Sequence, residues 1–283
     1  MKFEEIKKMF AQNISDLYEE SEIRLMFQVF AEHILGWNII QQRYSSDKEI
    51  SEEHEINFGR IISELKIGKP YQQIVGETEF YGMKIFVDEN VLIPRPETEE
   101  LLEITLQKIQ SSGLKIQDMK ILDIGTGSGI IPLVLKKHFP EAVVYTVDFS
   151  EKALKTARKN AEFHQTDIHF IHADYLKYDL NQNFDVIISN PPYIGMDEKT
   201  EIADSVKDFE PAMALFSPTS DALIFYRKIA EDAKNYLKKN GFIFLEINQK
   251  LGNETLALYE KDFTEAKLIK DLSGNDRFIV VKK

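Results

Sequence analysis

The string Ser189-Asn190-Pro191-Pro192-Tyr193-Ile194 follows directly on the apolar run Phe184-Asp185-Val186-Ile187-Ile188. Proline lacks an N–H and has a fixed φ, so the carbonyls of Asn190 and Pro191 are held rigidly and no helix consumes them. Rigid acceptors suit a planar nitrogen. In an amide or exocyclic amine the lone pair is delocalised, and attack from it is slow unless the N–H bonds are oriented and polarised. The Asn190 side-chain oxygen and the Pro191 carbonyl can each accept one N–H, aiming the lone pair at a carbon held in line. Tyr193 can cover the planar group by stacking. The nitrogen becomes cationic in the transition state, where both oxygens stabilise the developing charge, so no strong general base is required. The bland alternative is a stiff exit loop from a strand.

A second constellation lies upstream. Residues 121 to 130 read I-L-D-I-G-T-G-S-G-I, a buried strand running into glycines 125, 127 and 129 and then a helix beginning near Ile130. Such small residues let backbone approach a ligand closely. A dinucleotide loop needs a glycine where Ile130 stands, and a P-loop needs Gly-Lys-Ser/Thr, so both nucleotide readings fail. Asp148, at the tip of the next strand, can accept both hydroxyl protons of a ribose. Asp174 follows the third strand, with Tyr175 beside it to face an adenine ring. Singly, each is equally a turn glycine or a solvated aspartate; together they converge where open α/β sheets bind ligands. A G-x-G-x-G loop without a phosphate-gripping lysine suits a ligand with nucleoside and amino-acid ends. Here the sequence resembles class I methyltransferases, and that resemblance implies S-adenosylmethionine as cofactor. Gly125, Thr126, Gly127, Ser128, Gly129, Asp148, Asp174, Tyr175 and Asn190 would surround it.

The elements that must position these residues are short apolar runs alternating with helical stretches: KILDIG, AVVYTVD, IHFIHA, FDVIISN, GFIFLEI, EAKLIK and RFIVVKK. The alternation predicts an α/β fold with a doubly wound, mostly parallel seven-stranded sheet. Too little chain separates the last two runs for a crossover helix, so one of them is expected to be antiparallel. Pro94 and Pro96 hold the backbone extended before a helix from about Glu97, with Thr98 or Glu97 as its cap and Leu101, Leu102, Ile104 and Leu106 as its stripe. Residues 71–93, with turn signals at Gly76, Gly82 and Asn90, read as a β-hairpin linker to a catalytic domain over 94–283. Residues 1–70 place Ile23, Phe27, Phe30, Ile34 and Ile56, Ile61, Leu65 at helical spacings, with Ser21 and Ser51 as N-caps, and predict a small helical bundle. Lys234, Lys238 and Lys239 read as one solvated helix face, and Arg277 as structural.

Composition narrows the partners. The 283 residues carry 35 Lys or Arg against 47 Asp or Glu, a formal charge of −12, and no cysteine. Disulfides, thiolate nucleophiles and cysteine-ligated metals are excluded. The acidity is shared: nine basic against 13 acidic residues in 1–70, and 26 against 34 thereafter. A protein that grips a duplex by itself must neutralise phosphates and needs a basic face, so direct nucleic-acid binding is not expected. The six histidines, 33, 54, 138, 164, 169 and 172, show no metal spacing, and no metal is expected. Charges interrupt every apolar stretch near the N-terminus and no run is long enough to span a bilayer, so the expectation is a cytoplasmic protein without a membrane partner.

Asn-Pro-Pro-Tyr resembles the motif of enzymes that methylate planar nitrogens: adenine N6, guanine N2, or the carboxamide of glutamine. Further strings choose among them. P-Y-Q-Q-I-V-G (70 to 76), L-I-P-R-P-E-T-E (92 to 99), L-D-I-G-T-G-S-G (122 to 129), N-P-P-Y-I (190 to 194), E-P-A-M-A-L (210 to 215) and D-L-S-G-N-D-R-F (271 to 278) together resemble the release factor glutamine methyltransferase family. The resemblance implies transfer of a methyl group from S-adenosylmethionine to N5 of the glutamine in the Gly-Gly-Gln loop of class 1 peptide chain release factors. Asn190, Pro191, Pro192 and Tyr193 would hold the glutamine, with Asn190, Pro191 and Tyr193 catalytic, and the helical segment would dock the substrate. Arg95, Glu97 and Glu99 would be either a capped helix start or a wall of the cofactor pocket. Two positions depart from the family's habit: Asn248, where glycine is common, and Tyr175, where tryptophan is frequent. An adenine-N6 or guanine-N2 nucleic-acid methyltransferase is the alternative.

Overall fold

The computed structural model describes residues 1–195 and 204–283. It divides into a helical unit, Met1–Glu77 with Asp204–Phe209, and a larger unit formed by the remainder.

The helical unit contains α1 (Phe3–Ile14), α2 (Glu20–Leu35), α3 (Ile39–Arg43), α4 (Glu52–Lys66) and α5 (Tyr71–Val75). Ser51 caps α4, accepting from His54 N at 3.3 Å. Ser21 does not cap α2; the N-cap is Glu19, two residues earlier, whose backbone N–H donates to Glu22 Oε2 at 2.9 Å. Phe27 anchors the core, with Phe3, Phe10 and Phe58 rings at 5.3, 5.4 and 5.7 Å. Ile56, expected inside, is 66% exposed, because α4 turns Phe58, Ile61, Ile62 and Leu65 inward and Ile56 lies off that stripe.

Residues 71–75, expected in the hairpin, form α5 instead and stop at Gly76, whose φ is +81°. The hairpin itself is β1 (Glu77–Phe80) and β2 (Met83–Phe86), turned by Tyr81 and Gly82, both with positive φ, the backbone that matches strand twist in a two-residue loop. Then follow α6 (Pro96–Ser111), β3 (Lys120–Ile124), α7 (Ile130–His138), β4 (Val143–Asp148), α8 (Glu151–Phe163), β5 (His169–His172), β6 (Phe184–Ser189), α9 (Asp204–Phe209, in the helical unit), α10 (Ala212–Leu215), α11 (Ile224–Tyr236), β7 (Leu237–Glu246), α12 (Gly252–Leu256), β8 (Glu265–Lys270) and β9 (Asp276–Lys282).

Seven strands form one sheet in the order β5-β4-β3-β6-β7-β9-β8, doubly wound and parallel except for β9, which runs antiparallel to both neighbours as the short final connection requires. Ile121 packs with α6, α7 and α8 on one face, and Leu122 and Ile124 with α11 on the other. The chain winds outward through β3, β4 and β5 and then returns to place β6 on the other side of β3. The carboxyl ends of β3 and β6 therefore form the topological switch point, where open sheets bind ligands. Lys238 and Lys239 lie on β7 rather than on a helix with Lys234, because the helix stops at Tyr236, and Lys238 Nζ pairs with Asp185 at 2.8 Å.

Candidate active site

The glycine loop is shaped by backbone. Gly125, Gly127 and Gly129 have φ of +84°, +54° and +85°, the left-handed region that disfavours a Cβ. A Cβ on Gly127 would meet nothing within 4 Å, whereas one on Gly129 would lie 2.9 Å from Ala157 Cβ. Gly127 thus borders open space, and Gly129 lets α7 pack on α8. The side chains of Thr126 and Ser128 are buried, so the loop offers a ligand its main chain. Thr126 contacts Thr146 through their hydroxyls, and Thr146 donates to Asp123 Oδ2 at 2.6 Å. Asn160 on α8 braces the loop, donating to the carbonyls of Ser128 and Phe86 at 2.8 and 2.9 Å.

Asp148 ends β4 beside this loop. Its Oδ2 accepts from Gly127 N at 2.9 Å and its Oδ1 from Ser150 N at 2.8 Å. Each oxygen retains acceptor capacity for a ligand hydroxyl. Burial raises its pKa above the ordinary value, opposed by those two N–H groups. Asp123 is fully buried on β3, and burial pushes its carboxyl up to about 7, with Thr146 pulling the other way and Asp148 adding to the rise. Asp123 Oδ1 has no partner among the described residues.

Asp174 sits at the predicted strand tip, where Oδ1 accepts from Leu176 N at 3.2 Å and Oδ2 pairs with Lys177 at 2.9 Å. Tyr175 is not an open adenine platform. Its ring is 4% exposed within the core on the α11 side, and its hydroxyl donates to Asp232 Oδ2 at 2.8 Å, because a buried phenol needs an acceptor. The prediction followed the order of residues along the chain, which does not reveal into which layer a ring turns.

At the end of β6, Ser189 Oγ donates to Ile124 O at 2.7 Å and joins the two strand ends at the switch point. Asn190 comes next, its carbonyl 3.7 Å from where a Gly125 Cβ would stand. Its Nδ2 donates to Thr98 Oγ1 at 3.1 Å, and Thr98 Oγ1 donates to Glu246 Oε2 at 2.8 Å. Pro191 is buried; Pro192 and Tyr193 are half-buried. Tyr193 Oη reaches Glu246 Oε1 at 3.4 Å, and burial holds its pKa well up. Beyond it, Ile194 bridges Phe216, fixing the exit of the motif against residues 215–217.

Several of these supports were missed from the sequence. Thr98, read as a cap, does not cap α6, which starts at Pro96 with Arg95 as an N-cap that makes no side-chain bond; Thr98 is 2% exposed and belongs to the site. Glu246 is buried at the end of β7. Burial drives its carboxyl up to about 7 and Glu97 adds to this, while Thr98, Arg277 and Tyr193 oppose it. The signal was a lone acid in the apolar run GFIFLEI. Asn248 donates to Tyr193 O at 3.3 Å and accepts from Lys250 N at 3.0 Å, so its side chain fastens the motif's exit. Glu210 accepts from Ile93 N at 3.0 Å and pairs with Arg95 at 2.5 Å, which ties the Glu-Pro-Ala string to the Pro-Arg-Pro turn. Glu99 accepts from Tyr81 N at 2.7 Å and so braces the hairpin. Among the described residues no group of His, Asp or Glu could hold a metal ion, and no helix is long and apolar enough to cross a membrane.

Comparison with known proteins places the chain in a family. The family described as Methyltransferase small domain matches residues 100–209. A crystal structure of a methyltransferase from Pyrococcus furiosus shares the fold, with a TM-score of 0.50 at 18% identity over 81% of this chain and 98% of that one. The release factor glutamine methyltransferase of Flavobacterium psychrophilum is 45% identical, covering 97% of each chain. That of Streptococcus pneumoniae is 41% identical, covering 84% of each. At such identity over nearly the whole length, the chain belongs to the release factor glutamine methyltransferase family.

Proposed function

We propose that this protein transfers a methyl group from S-adenosylmethionine to the N5 nitrogen of the glutamine in the Gly-Gly-Gln loop of class 1 peptide chain release factors. The observation that carries this reading is the orientation of Asn190 at the switch point: its Nδ2 is engaged by Thr98, which leaves Oδ1 as the acceptor for an incoming amide N–H.

The residues fit the cofactor. Open space over Gly127 admits a ligand against main chain, and the Asp148 carboxylate beside it can take a pair of ribose hydroxyls. Gly125, Gly127 and Asp148 would hold it, with Asp174 at the neighbouring tip and Asn190 at the end facing the substrate. When bound, the cofactor supplies an electrophilic methyl group on a sulfonium. The chain does the rest. Asn190 Oδ1 and the Pro191 carbonyl accept the two N–H bonds of the glutamine amide, fixing its plane so that the nitrogen lone pair faces the methyl carbon. Pro191 and Pro192 keep those acceptors from relaxing, and the Tyr193 ring covers the amide plane. As the nitrogen becomes cationic, the same two oxygens stabilise it, and the proton leaves afterwards. The helical unit grips the release factor away from its glutamine and supplies binding energy that orients the loop.

Labelled methyl transfer tests the reading. Tritium from S-adenosylmethionine should enter intact release factor and not a Gln→Ala loop variant or duplex DNA; label in DNA would favour the nucleic-acid alternative, against which the net charge of −12 already argues.

A further inference from the structure

We propose that Thr98, gripped by Glu246, decides which way the Asn190 side-chain amide faces and is therefore a positioning residue for methyl transfer. This rests on the reaction proposed above. The two ends of an asparagine amide are nearly the same size, so shape does not distinguish them and only the polarity of a neighbour can. Thr98 is that neighbour. A threonine hydroxyl has one hydrogen and two lone pairs. An ionised carboxylate only accepts, so the Thr98 hydrogen is committed to Glu246 Oε2 at 2.8 Å. What Thr98 then shows to Asn190 is a lone pair, and Asn190 answers with Nδ2 at 3.1 Å. Oδ1 is left facing the other way, as the reaction requires.

Burial keeps the arrangement in register. Thr98 and Glu246 are each 2% exposed, so water does not compete for the hydroxyl, and Tyr226 Oη fixes the backbone of Glu246 by donating to its carbonyl at 3.0 Å. The charged and titratable groups facing the Glu246 carboxylate are Arg277 on β9, Glu97 in the first turn of α6 and the Tyr193 hydroxyl. Burial and Glu97 favour its neutral form; Thr98, Arg277 and Tyr193 favour the ionised form, and the balance lies at about 7. A protonated Glu246 can donate to Thr98, which frees the Thr98 hydrogen to donate to Asn190 Oδ1 and inverts the amide. Turnover should therefore fall as pH drops through about 7.

The full-length enzyme is assayed on intact release factor with labelled S-adenosylmethionine, and cofactor affinity is measured by titration calorimetry. Thr98→Val should lower kcat roughly ten- to hundredfold, the scale expected when a reacting group is misoriented. Cofactor Kd should stay within about threefold, and Thr98→Ser should restore kcat to within about threefold, since the hydroxyl is all that matters. Glu246→Gln should remove the acid limb near pH 7. Thr98→Val with kcat unchanged, Thr98→Ser as impaired as Thr98→Val, or a loss confined to cofactor affinity overturns the inference. Should Thr98→Val fail to fold, the pH profile of Glu246→Gln decides: an acid limb retained there overturns it as well. A wild-type enzyme that labels no release factor refutes instead the reaction on which the inference rests.

Discussion

Gly127 and Gly129 stand two residues apart in the same loop, yet replacing each with alanine should damage different properties. Both have positive φ, so each alanine would carry a left-handed backbone strain of about 1–2 kcal/mol. At Gly129 the new methyl would also meet Ala157 Cβ at 2.9 Å and Ala157 Cα at 3.1 Å, well inside contact distance and on a helix that cannot swing aside. Overpacking of this kind adds about 1–3 kcal/mol, for a total of roughly 2–5 kcal/mol. At Gly127 nothing lies within 4 Å, so the strain is the whole cost. With about 2–4 °C lost per kcal/mol in a domain of this size, Gly129→Ala should melt roughly 10 °C below wild type and Gly127→Ala roughly 4 °C below. Ligand binding should rank them the other way. The methyl on Gly127 projects into the space offered to the cofactor, and S-adenosylmethionine affinity should fall about tenfold or more, a loss of about 1.4 kcal/mol or greater. Folded Gly129→Ala keeps that space. Scanning calorimetry and S-adenosylmethionine titration on the same preparations measure both rankings. Equal melting losses, or wild-type affinity in Gly127→Ala, would refute the division of the loop into a packing glycine and a ligand glycine.

Asn190→Ala should lower kcat by about 10²- to 10³-fold, the scale of one preorganised group that meets developing charge, with cofactor Kd within about threefold; comparable losses in both would make holding the cofactor, not aligning the amide, the main role of Asn190. Tyr175→Phe should cost about 1–2 kcal/mol of stability, read as a shifted denaturant midpoint, because the buried Asp232 loses a donor, while cofactor affinity stays unchanged; an affinity loss without a stability loss would restore the ring to the adenine pocket. Asp123 supplies a pH test. Burial holds its folded carboxyl up to about 7 against an ordinary 3.8, so the folded state keeps a proton that the unfolded chain gives up. Its contribution to stability therefore declines as pH rises from about 4 to about 7 and is level above. Asp123→Asn leaves Thr146 an acceptor and should flatten that decline, gaining on wild type at pH 8 in denaturant unfolding; an unchanged slope would show that Asp123 is already ionised in the fold.

What the sequence revealed and what it hid follow from how far apart the contributing residues lie. Most of the seven strands were legible because a run of apolar residues bounded by turn signals is a property of a few consecutive positions; β5 and β8, with charged or histidine residues at their ends, are weaker cases of the same pattern. The glycine loop, Asp148 and the Asn-Pro-Pro-Tyr element were legible because each lies just past such a run, and in a parallel sheet the carboxyl ends of the strands share one edge. Side-chain direction was not. Tyr175 and Asp174 are neighbours in sequence, but one faces the core and the other the tip, and periodicity does not resolve that at the first residue of a turn. Thr98 was hidden differently. Pro-Glu-Thr-Glu is a good local signature for a helix start, and only the packing of α6 on β7 turns that threonine from a cap into a partner for a carboxylate 148 residues later. The role of Asn248 becomes intelligible only with its amide against the Tyr193 carbonyl.

The two buried carboxylates share one construction. β6, which delivers Asn190, is flanked by β3 and β7, and each neighbour buries one acid near its carboxyl end, Asp123 and Glu246. Each acid takes the hydrogen of a threonine, Thr146 at 2.6 Å and Thr98 at 2.8 Å. Each threonine is thereby left with lone pairs to show the next group, which is Thr126 of the glycine loop in one case and the amide of Asn190 in the other. Apolar residues at 123 and 246 would avoid the desolvation that lifts both acids to about 7. They would also leave both hydroxyls free to rotate, and with them the loop proposed to meet the cofactor and the amide proposed to meet the substrate. The sheet thus gives up some stability on either side of β6 to fix the direction of two hydrogen bonds, and those bonds set the groups between which the methyl transfer is proposed to occur.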